Sequence, residues 1–302
     1  ERFDEYWNKD QIHLKRIEFR PIPDGTVRLT NLRAGQLELL ERLTPTDLPQ
    51  VTRDPKLKVG STIELGFQSI VFNPNRAGSA VADPRVRAAF DLAIDRNALN
   101  QVVFSGEFLP GNQWVSPKHP AYVKDYPLPK RDVAKAKALL AEAGIPKPSV
   151  TLTVYANNEA PQVGQVIQAM TREAGFDVKL QATDFTTALD AADKGNFDAY
   201  LYSWSGRPDP DGNTFSFLAC KTPLNYARYC NPEADAALTA ERATVDPARR
   251  AEAWKHLADR VMADRPLIYL FHRKLFWAYS NKLSGFTPYP DGLVRFNGLT
   301  LN

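Results

Sequence analysis

Strand-like runs alternate with helical segments through the middle of this chain, and that alternation limits the fold more than any other feature. Hydrophobic periodicity predicts strands at Ser149–Tyr155, 176–181 and 197–204, and helices between them at 163–174 and 184–194. Strands separated by helices of about ten residues are typical of βαβ units, in which successive strands run in the same direction. The sequence therefore predicts an α/β fold with a mixed, mainly parallel sheet.

The segments on either side of this block have a different character. Alternating apolar and charged residues at 12–19 predict a half-buried strand, and further strand signals lie at 64–73 and 267–278. The last two mark the points at which the chain would enter and leave the central block. Two connections between lobes are the arrangement that hinge-closing binding proteins use, so we expect a two-lobe architecture.

The loop that follows the strand at 197–204 carries the densest group of candidate binding residues. These ligand-binding candidates are Trp204, Gly206, Arg207, Asp209, Asp211 and Asn213. Proline limits φ, glycine permits close approach to the backbone, and loops at strand ends commonly carry binding groups. An aromatic ring beside a guanidinium on such a loop is suited to form one wall of a ligand site. The Asp-Pro-Asp-Gly sequence is also ordinary turn chemistry, so a surface turn is the alternative.

No pattern in the chain is typical of an enzyme. Asp209 and Asp211 are neighbours on one proline-rich turn, whereas paired glycosidase carboxylates face each other from separate elements at about 5–10 Å. P-loop, G-x-S-x-G, H-E-x-x-H and G-x-G-x-x-G motifs do not occur. Two cysteines and four scattered histidines are not a zinc ligand set. We expect no catalytic activity, no cofactor and no metal, and we expect the two aspartates to hold the loop or the Arg207 guanidinium.

Charge and hydropathy argue against two classes of partner. The net charge is +3, and no run of five or more basic residues occurs, which argues against binding to nucleic acid or to an anionic membrane. No apolar run approaches the roughly 18–20 residues needed to span a bilayer, so no membrane span is expected.

The chain begins at Glu1 with neither an initiator methionine nor a signal peptide, and this start is interpreted as that of a processed chain or a fragment.

The two cysteines are candidates for a local disulfide. Cys220 and Cys230 flank the polar segment KTPLNYARY. A bond between them would restrict the unfolded chain by roughly 2–3 kcal/mol in the loop-entropy account, and it would place the protein in an oxidising compartment. Two free thiols in a cytosolic protein are the alternative.

A series of motifs occurs in the order in which it stands in one protein family. The motifs are DEYWN at 4–8, RLTNLRAGQLELL at 28–40, FNPNRAGSAVADPRVRAAFDLAIDRNAL at 72–99 and AKALLAEAG at 136–144, followed by the Trp204 loop, Asn225-Tyr226, the two cysteines and DRPLIYLF. Over nearly all of its 302 residues, the chain resembles the C-terminal part of the periplasmic solute-binding proteins of dipeptide and oligopeptide ABC transporters, the bacterial extracellular solute-binding protein family 5.

The resemblance implies a periplasmic-binding-protein fold of two lobes, truncated at the N-terminus. Residues 1–71 would be the remainder of lobe I, residues 72–279 the α/β ligand-binding lobe II, and residues 280–302 the return to lobe I. It also implies a monomeric component of an ABC importer, periplasmic or otherwise extracytoplasmic. That component would capture a peptide or peptide-like ligand between its lobes and deliver it to the permease subunits.

At one position the chain departs from the family pattern. In dipeptide- and oligopeptide-binding members, the residue three after the strand tryptophan is an aspartate that pairs with the ligand's amino group, whereas Arg207 stands here. This change of sign would repel an ammonium and attract a carboxylate. Dipeptide binders also place an arginine in the loop after the strand at 151–155, where this chain has ANNEAPQ with Glu159 and no arginine. The ligand class stays open among peptides, glutathione, opines, sugars, haem and metal chelates.

A second class of protein carries a similar domain. Some cytosolic transcriptional regulators have a solute-binding domain behind a DNA-binding helix-turn-helix, and a ligand-sensing domain of that kind is the alternative function. The cysteine pair favours the extracytoplasmic protein, because disulfides are rare in the cytosol.

Overall fold

The computed structural model describes residues 1–157 and 159–302. Its α-helices are α1 (Gly25–Arg33), α2 (Leu48–Thr52), α3 (Pro84–Leu92), α4 (Arg96–Phe104), α5 (Val133–Glu142), α6 (Ala160–Glu173), α7 (Phe185–Lys194), α8 (Phe215–Leu218), α9 (Pro232–Arg242) and α10 (Pro247–Asp264). Its strands are β1 (Leu39–Glu41), β2 (Leu57–Ile63), β3 (Phe67–Phe72), β4 (Leu109–Pro110), β5 (Ser149–Tyr155), β6 (Asp177–Thr183), β7 (Ala199–Trp204), β8 (Leu267–His272), β9 (Lys274–Ser280), β10 (Leu283–Ser284) and β11 (Thr300–Leu301). None of these helices is both long and apolar enough to cross a bilayer.

In the sequence, Asp24 and Asp83 each stand directly before a helical segment, which predicts a helix cap at both positions. The Asp24 carboxylate accepts a hydrogen bond from the Val27 N–H at 2.9 Å at the start of α1. The Asp83 carboxylate accepts one from the Arg85 N–H at 2.8 Å at the start of α3, where proline is the first helical residue. Such caps satisfy N–H groups that have no partner inside the helix.

The chain divides into two compact units. One contains residues Glu1–Glu64 and Lys274–Asn302, with a sheet in the order β1-β9-β2 and a small β10–β11 pair. The other contains Leu65–Arg273. These boundaries lie a few residues before those expected at 71 and 279, because β3 belongs to the sheet of the second unit and β9 to the sheet of the first. The assignment of the ranges 1–71, 72–279 and 280–302 to two lobes of a larger protein stays a prediction.

The second unit is built on one mixed sheet in the order β4-β8-β3-β7-β5-β6. Strand β5 pairs in parallel with both β6 and β7. The pairs of β3 with β7, of β3 with β8 and of β4 with β8 are antiparallel. The mixed α/β fold is confirmed, but the expectation of a mainly parallel sheet is wrong. Strand β3 enters the sheet from outside the βαβ series and inserts between β7 and β8 in the opposite direction.

Aromatic side chains fill the core on both faces of this sheet. On one face, Phe67 makes edge-on contacts with Tyr269 (ring centroids 4.9 Å apart) and Phe217 (5.6 Å), beneath buried residues of α9 and α10. On the other face, Phe72 packs edge-on against Phe90 at 5.5 Å. The burial of these large rings supplies much of the hydrophobic stabilisation of the unit.

The strand predicted at 12–19 is wrong, since these residues belong to no helix or strand. Ile12 and Leu14 are half-buried, whereas Phe19 is exposed. Apolar alternation specifies a strand only where a neighbouring strand can accept its hydrogen bonds. Conversely, β2 was missed, although it pairs with β9 along its whole length from Leu57 to Ile63.

Candidate functional site

Four strands of the second unit, β5, β6, β7 and β8, end at the same side of the sheet. Both β7 and β8 run antiparallel to β3, and β5 runs parallel to β7. The carboxyl ends of β5, β7 and β8 therefore meet, and they bring Tyr155, Trp204 and Arg273 to one end of the sheet. We call this region, with the loop from Ser205 to Asn213, the Trp204 end.

Trp204 is the last residue of β7 and is half-buried. Its ring meets that of Phe217 at 5.0 Å with an interplanar angle of 66°. Its indole N–H donates to the Asn213 side-chain oxygen at 3.0 Å. These two contacts fix the orientation of the ring, so that it forms a rigid apolar surface at the end of the strand.

Asn213 holds the loop together from within. Its side chain is fully buried, and its oxygen also accepts the backbone N–H of Arg207 at 2.9 Å. Its amide nitrogen donates to the carbonyls of Leu65 at 3.1 Å and Trp114 at 3.3 Å. A side chain that uses its donors and acceptor in this way is buried at little cost, and it acts as scaffold within the loop.

Glycine is required at Gly206. Its φ is +83°, and a Cβ built there would lie 2.2 Å from the carbonyl carbon of Leu65. Gly212 has a related role, because a Cβ there would lie 2.6 Å from the Cβ and Cγ atoms of Arg207. The two glycines bring the loop against the start of β3 and leave room for the arginine side chain.

The Arg207 guanidinium lies over the Trp204 ring, with its central carbon 4.4 Å from the ring centroid. Its Nη1 donates to the Gly206 carbonyl at 2.7 Å. The residue is exposed. Stacking on an indole and a hydrogen bond to the backbone restrict the rotamers of the side chain, and an exposed guanidinium can meet an anion in the bidentate geometry that arginine favours.

The two aspartates of the loop do not contact Arg207. Asp209 accepts two hydrogen bonds from Arg250 of α10, at 2.6 and 3.1 Å, and this pairing lowers the pKa of its carboxyl. Asp211 pairs with Arg242 of α9 at 3.3 Å. They anchor the loop to these two helices, so the expected role of holding the loop is supported and that of holding the guanidinium is not.

Below the loop lies a buried acid that the sequence did not single out. The Glu241 side chain is fully buried, and its Oε2 accepts hydrogen bonds from Arg250 at 2.8 and 3.3 Å. Burial raises the pKa of Glu241 to about 7, and the neighbouring Asp211 carboxylate adds to the increase. The buried Glu241 carboxyl therefore holds its proton to a higher pH than an ordinary glutamic acid does.

The predicted disulfide is present. The Cys220 and Cys230 sulfurs are 2.03 Å apart, and their Cα atoms 4.6 Å apart. Within the described part of the chain, these sulfurs and an Asp235 oxygen lie within 4.8 Å of one another. Because both sulfurs are oxidised, neither is available as a thiolate ligand.

The comparisons with known proteins identify the family. The model of the family described as "Bacterial extracellular solute-binding proteins, family 5 Middle" matches residues 1–225. The chain belongs to this family. The resemblance drawn from the sequence motifs is therefore confirmed.

Curated relatives match along almost the whole chain. The chain is 29% identical over 291 residues to a probable di/tripeptide-binding protein 5 of Pseudomonas aeruginosa, with 92% of this chain and 54% of the relative covered. It is 29% identical over 314 residues to the glutathione-binding protein GsiB of Pectobacterium atrosepticum, with 100% and 60% covered. The family 5 chain thus spans little more than half the length of these relatives.

Solved structures share the fold. The murein tripeptide binding protein MppA of Escherichia coli has a TM-score of 0.88 at 22% identity, over 98% of this chain and 60% of that one. A dipeptide binding protein of Pseudoalteromonas sp. SM9913, in complex with Met-Leu, has a TM-score of 0.83 at 24% identity, over 93% and 57%. These likenesses confirm the periplasmic-binding-protein architecture of the family.

The pairing of two charged residues at the Trp204 end, Arg273 and Glu159, could not be predicted from the sequence around either of them. Arg273 follows β8 directly, and its Nη2 donates to the Glu159 carboxylate at 3.1 Å. Glu159 lies in the segment after β5, 114 positions earlier in the chain. Only the strand order of the sheet brings this pair to the same end as Trp204 and Arg207.

Proposed function

We propose that this family 5 chain belongs to the extracytoplasmic solute-binding component of an ABC importer, and that its Trp204 end binds a peptide or peptide-like ligand. The relatives that match it are named for binding di- and tripeptides and glutathione, which supports this class of ligand. We further propose that the complete protein is a periplasmic monomer without enzymatic activity, which hands its ligand to permease subunits.

The observation that carries the proposal is the Arg207 guanidinium. It is exposed, held over Trp204 and bonded to its own loop, so little entropy is lost when it binds an anion. Trp204 would supply a stacking or apolar wall, and Arg207 would meet a carboxylate of the ligand. Gly206, Asp209, Asp211 and Asn213 would act through the loop, by shaping and anchoring it.

The cytosolic regulator is disfavoured by the disulfide between Cys220 and Cys230, since such bonds rarely persist in a reducing compartment. The family match points the same way, because its members are described as extracellular solute-binding proteins.

A ligand screen by isothermal titration calorimetry tests the proposal on the full-length protein. The panel compares glutathione and acidic dipeptides with neutral dipeptides, for wild type, Arg207→Ala and Arg207→Asp. Loss of one partner of a buried charge pair costs at least about 2 kcal/mol, so Arg207→Ala should weaken binding about 30-fold or more. If wild type binds none of these ligands, or if both variants bind them as wild type does, the proposal is wrong.

Arg295 offers a matched control. It is another arginine stacked on an aromatic ring, 4.6 Å from the Tyr289 centroid, and it is not part of the Trp204 end. Arg295→Ala removes the same kind of side chain and should leave every ligand affinity unchanged.

A further inference from the structure

In addition to Arg207, the Trp204 end holds a second group of charged residues, Arg273 and Glu159. The Arg273 Nη2 contacts both the Glu159 carboxylate, at 3.1 Å, and the Tyr155 hydroxyl, at 3.5 Å. Tyr155 closes β5, and Arg273 follows β8. In the sheet order these strands are separated by β3 and β7, so the guanidinium reaches across the ends of two strands.

The two members of this ion pair differ in exposure. The Arg273 side chain is 12% exposed and that of Glu159 is 31% exposed. The arginine is therefore mostly enclosed and positioned by two partners, whereas the carboxylate is more open to solvent. A carboxylate held by a fixed guanidinium is preorganised for a further donor.

The charges at this end of the sheet are divided between adjacent strands. Arg207 follows β7, and Glu159 follows β5, which is its parallel neighbour in the sheet. Neighbouring strands lie about 4.8 Å apart, so a positive and a negative group stand on the two segments that leave adjacent strands at the Trp204 end. Such a pair matches a molecule that carries a carboxylate at one end and an ammonium at the other.

We propose that Glu159 accepts the ammonium group of the ligand, with Arg273 as its positioning residue, so that the Trp204 end selects zwitterionic ligands such as peptides with a free amine. This inference rests on the proposed function and adds the second half of the recognition. Arg207 takes the anionic group, and Glu159 the cationic group. Blocking the ligand's amine would then remove one contact and leave the other.

The test combines a chemical cap on the ligand with a substitution in the protein. The probes are Ala-Glu and N-acetyl-Ala-Glu, titrated into the full-length protein by calorimetry. Wild type should bind Ala-Glu about tenfold or more tightly than the acetylated probe, as expected when one partner of a charge pair is lost. Glu159→Gln should lower the affinity for Ala-Glu to that for N-acetyl-Ala-Glu, and it should leave the affinity for N-acetyl-Ala-Glu unchanged. Arg273→Gln should reduce the ratio of the two affinities.

Glu233→Gln is the matched control. Glu233 forms the same type of pair with Arg260, at 3.2 Å, between α9 and α10, and its loss should alter neither affinity. Circular dichroism and thermal unfolding of each variant verify that it is folded.

The outcomes separate the two proposals. If Glu159→Gln weakens both probes equally, or weakens neither, while Arg207→Ala still weakens both, Glu159 does not bind the amine and the proposed function stands. If wild type binds neither probe nor any other peptide of the screen, both proposals are overturned.

Discussion

Replacement of Asn213 by alanine should disconnect the loop from its scaffold. The buried Trp114 carbonyl and the partly buried Leu65 carbonyl each lose a donor. The N–H groups of Trp204 and Arg207 lose their acceptor, but they lie close enough to the surface to bond water. An unsatisfied buried group costs about 1–3 kcal/mol, so Asn213→Ala should lower the free energy of unfolding by about 2–4 kcal/mol.

The measurement is urea unfolding of wild type and variant, followed by tryptophan fluorescence and by far-UV circular dichroism. Two probes are needed because two compact units need not unfold together. Asn97→Ala is the control, since Asn97 is an exposed residue of α4 and its loss should change stability by no more than about 0.5 kcal/mol. A difference between Asn213→Ala and this control below about 0.5 kcal/mol would refute the scaffold role, because the lost bonds are predicted to cost several times more.

Two further predictions concern the disulfide and the buried acid. A thiol titration of the denatured, non-reduced protein should find no free thiol, and the Cys220→Ala/Cys230→Ala variant should be about 2–3 kcal/mol less stable; two free thiols, or an unchanged stability, would contradict this. Glu241 has a pKa of about 7 when folded, against an ordinary 4.5 when unfolded. Its stabilising contribution is therefore complete below pH 4.5 and lost as the pH rises through 7. In urea unfolding at pH 5, 6, 7 and 8, the stability of wild type relative to Glu241→Gln should fall by about 1–3 kcal/mol, and a constant difference would show that burial does not perturb this group.

Local features of the chain were readable from the sequence because their causes are local. The strand Ser149–Tyr155 was predicted with its observed bounds, since its side chains alternate within seven residues. The caps at Asp24 and Asp83 follow from contacts two or three positions apart. The disulfide joins cysteines only ten positions apart. The motif series also identified the family, because it depends on order along the chain.

Tertiary structure alone decided which groups meet at the Trp204 end. Asp209 was expected near Arg207, but it pairs with Arg250, 41 positions away. Glu159 meets Arg273 across 114 positions. Hydrophobic periodicity along a chain shows which face of a helix or strand is buried. It does not show which other strand or helix packs against that face. The insertion of β3 between β7 and β8 therefore had to be observed, and with it the side chains that those strands bring together.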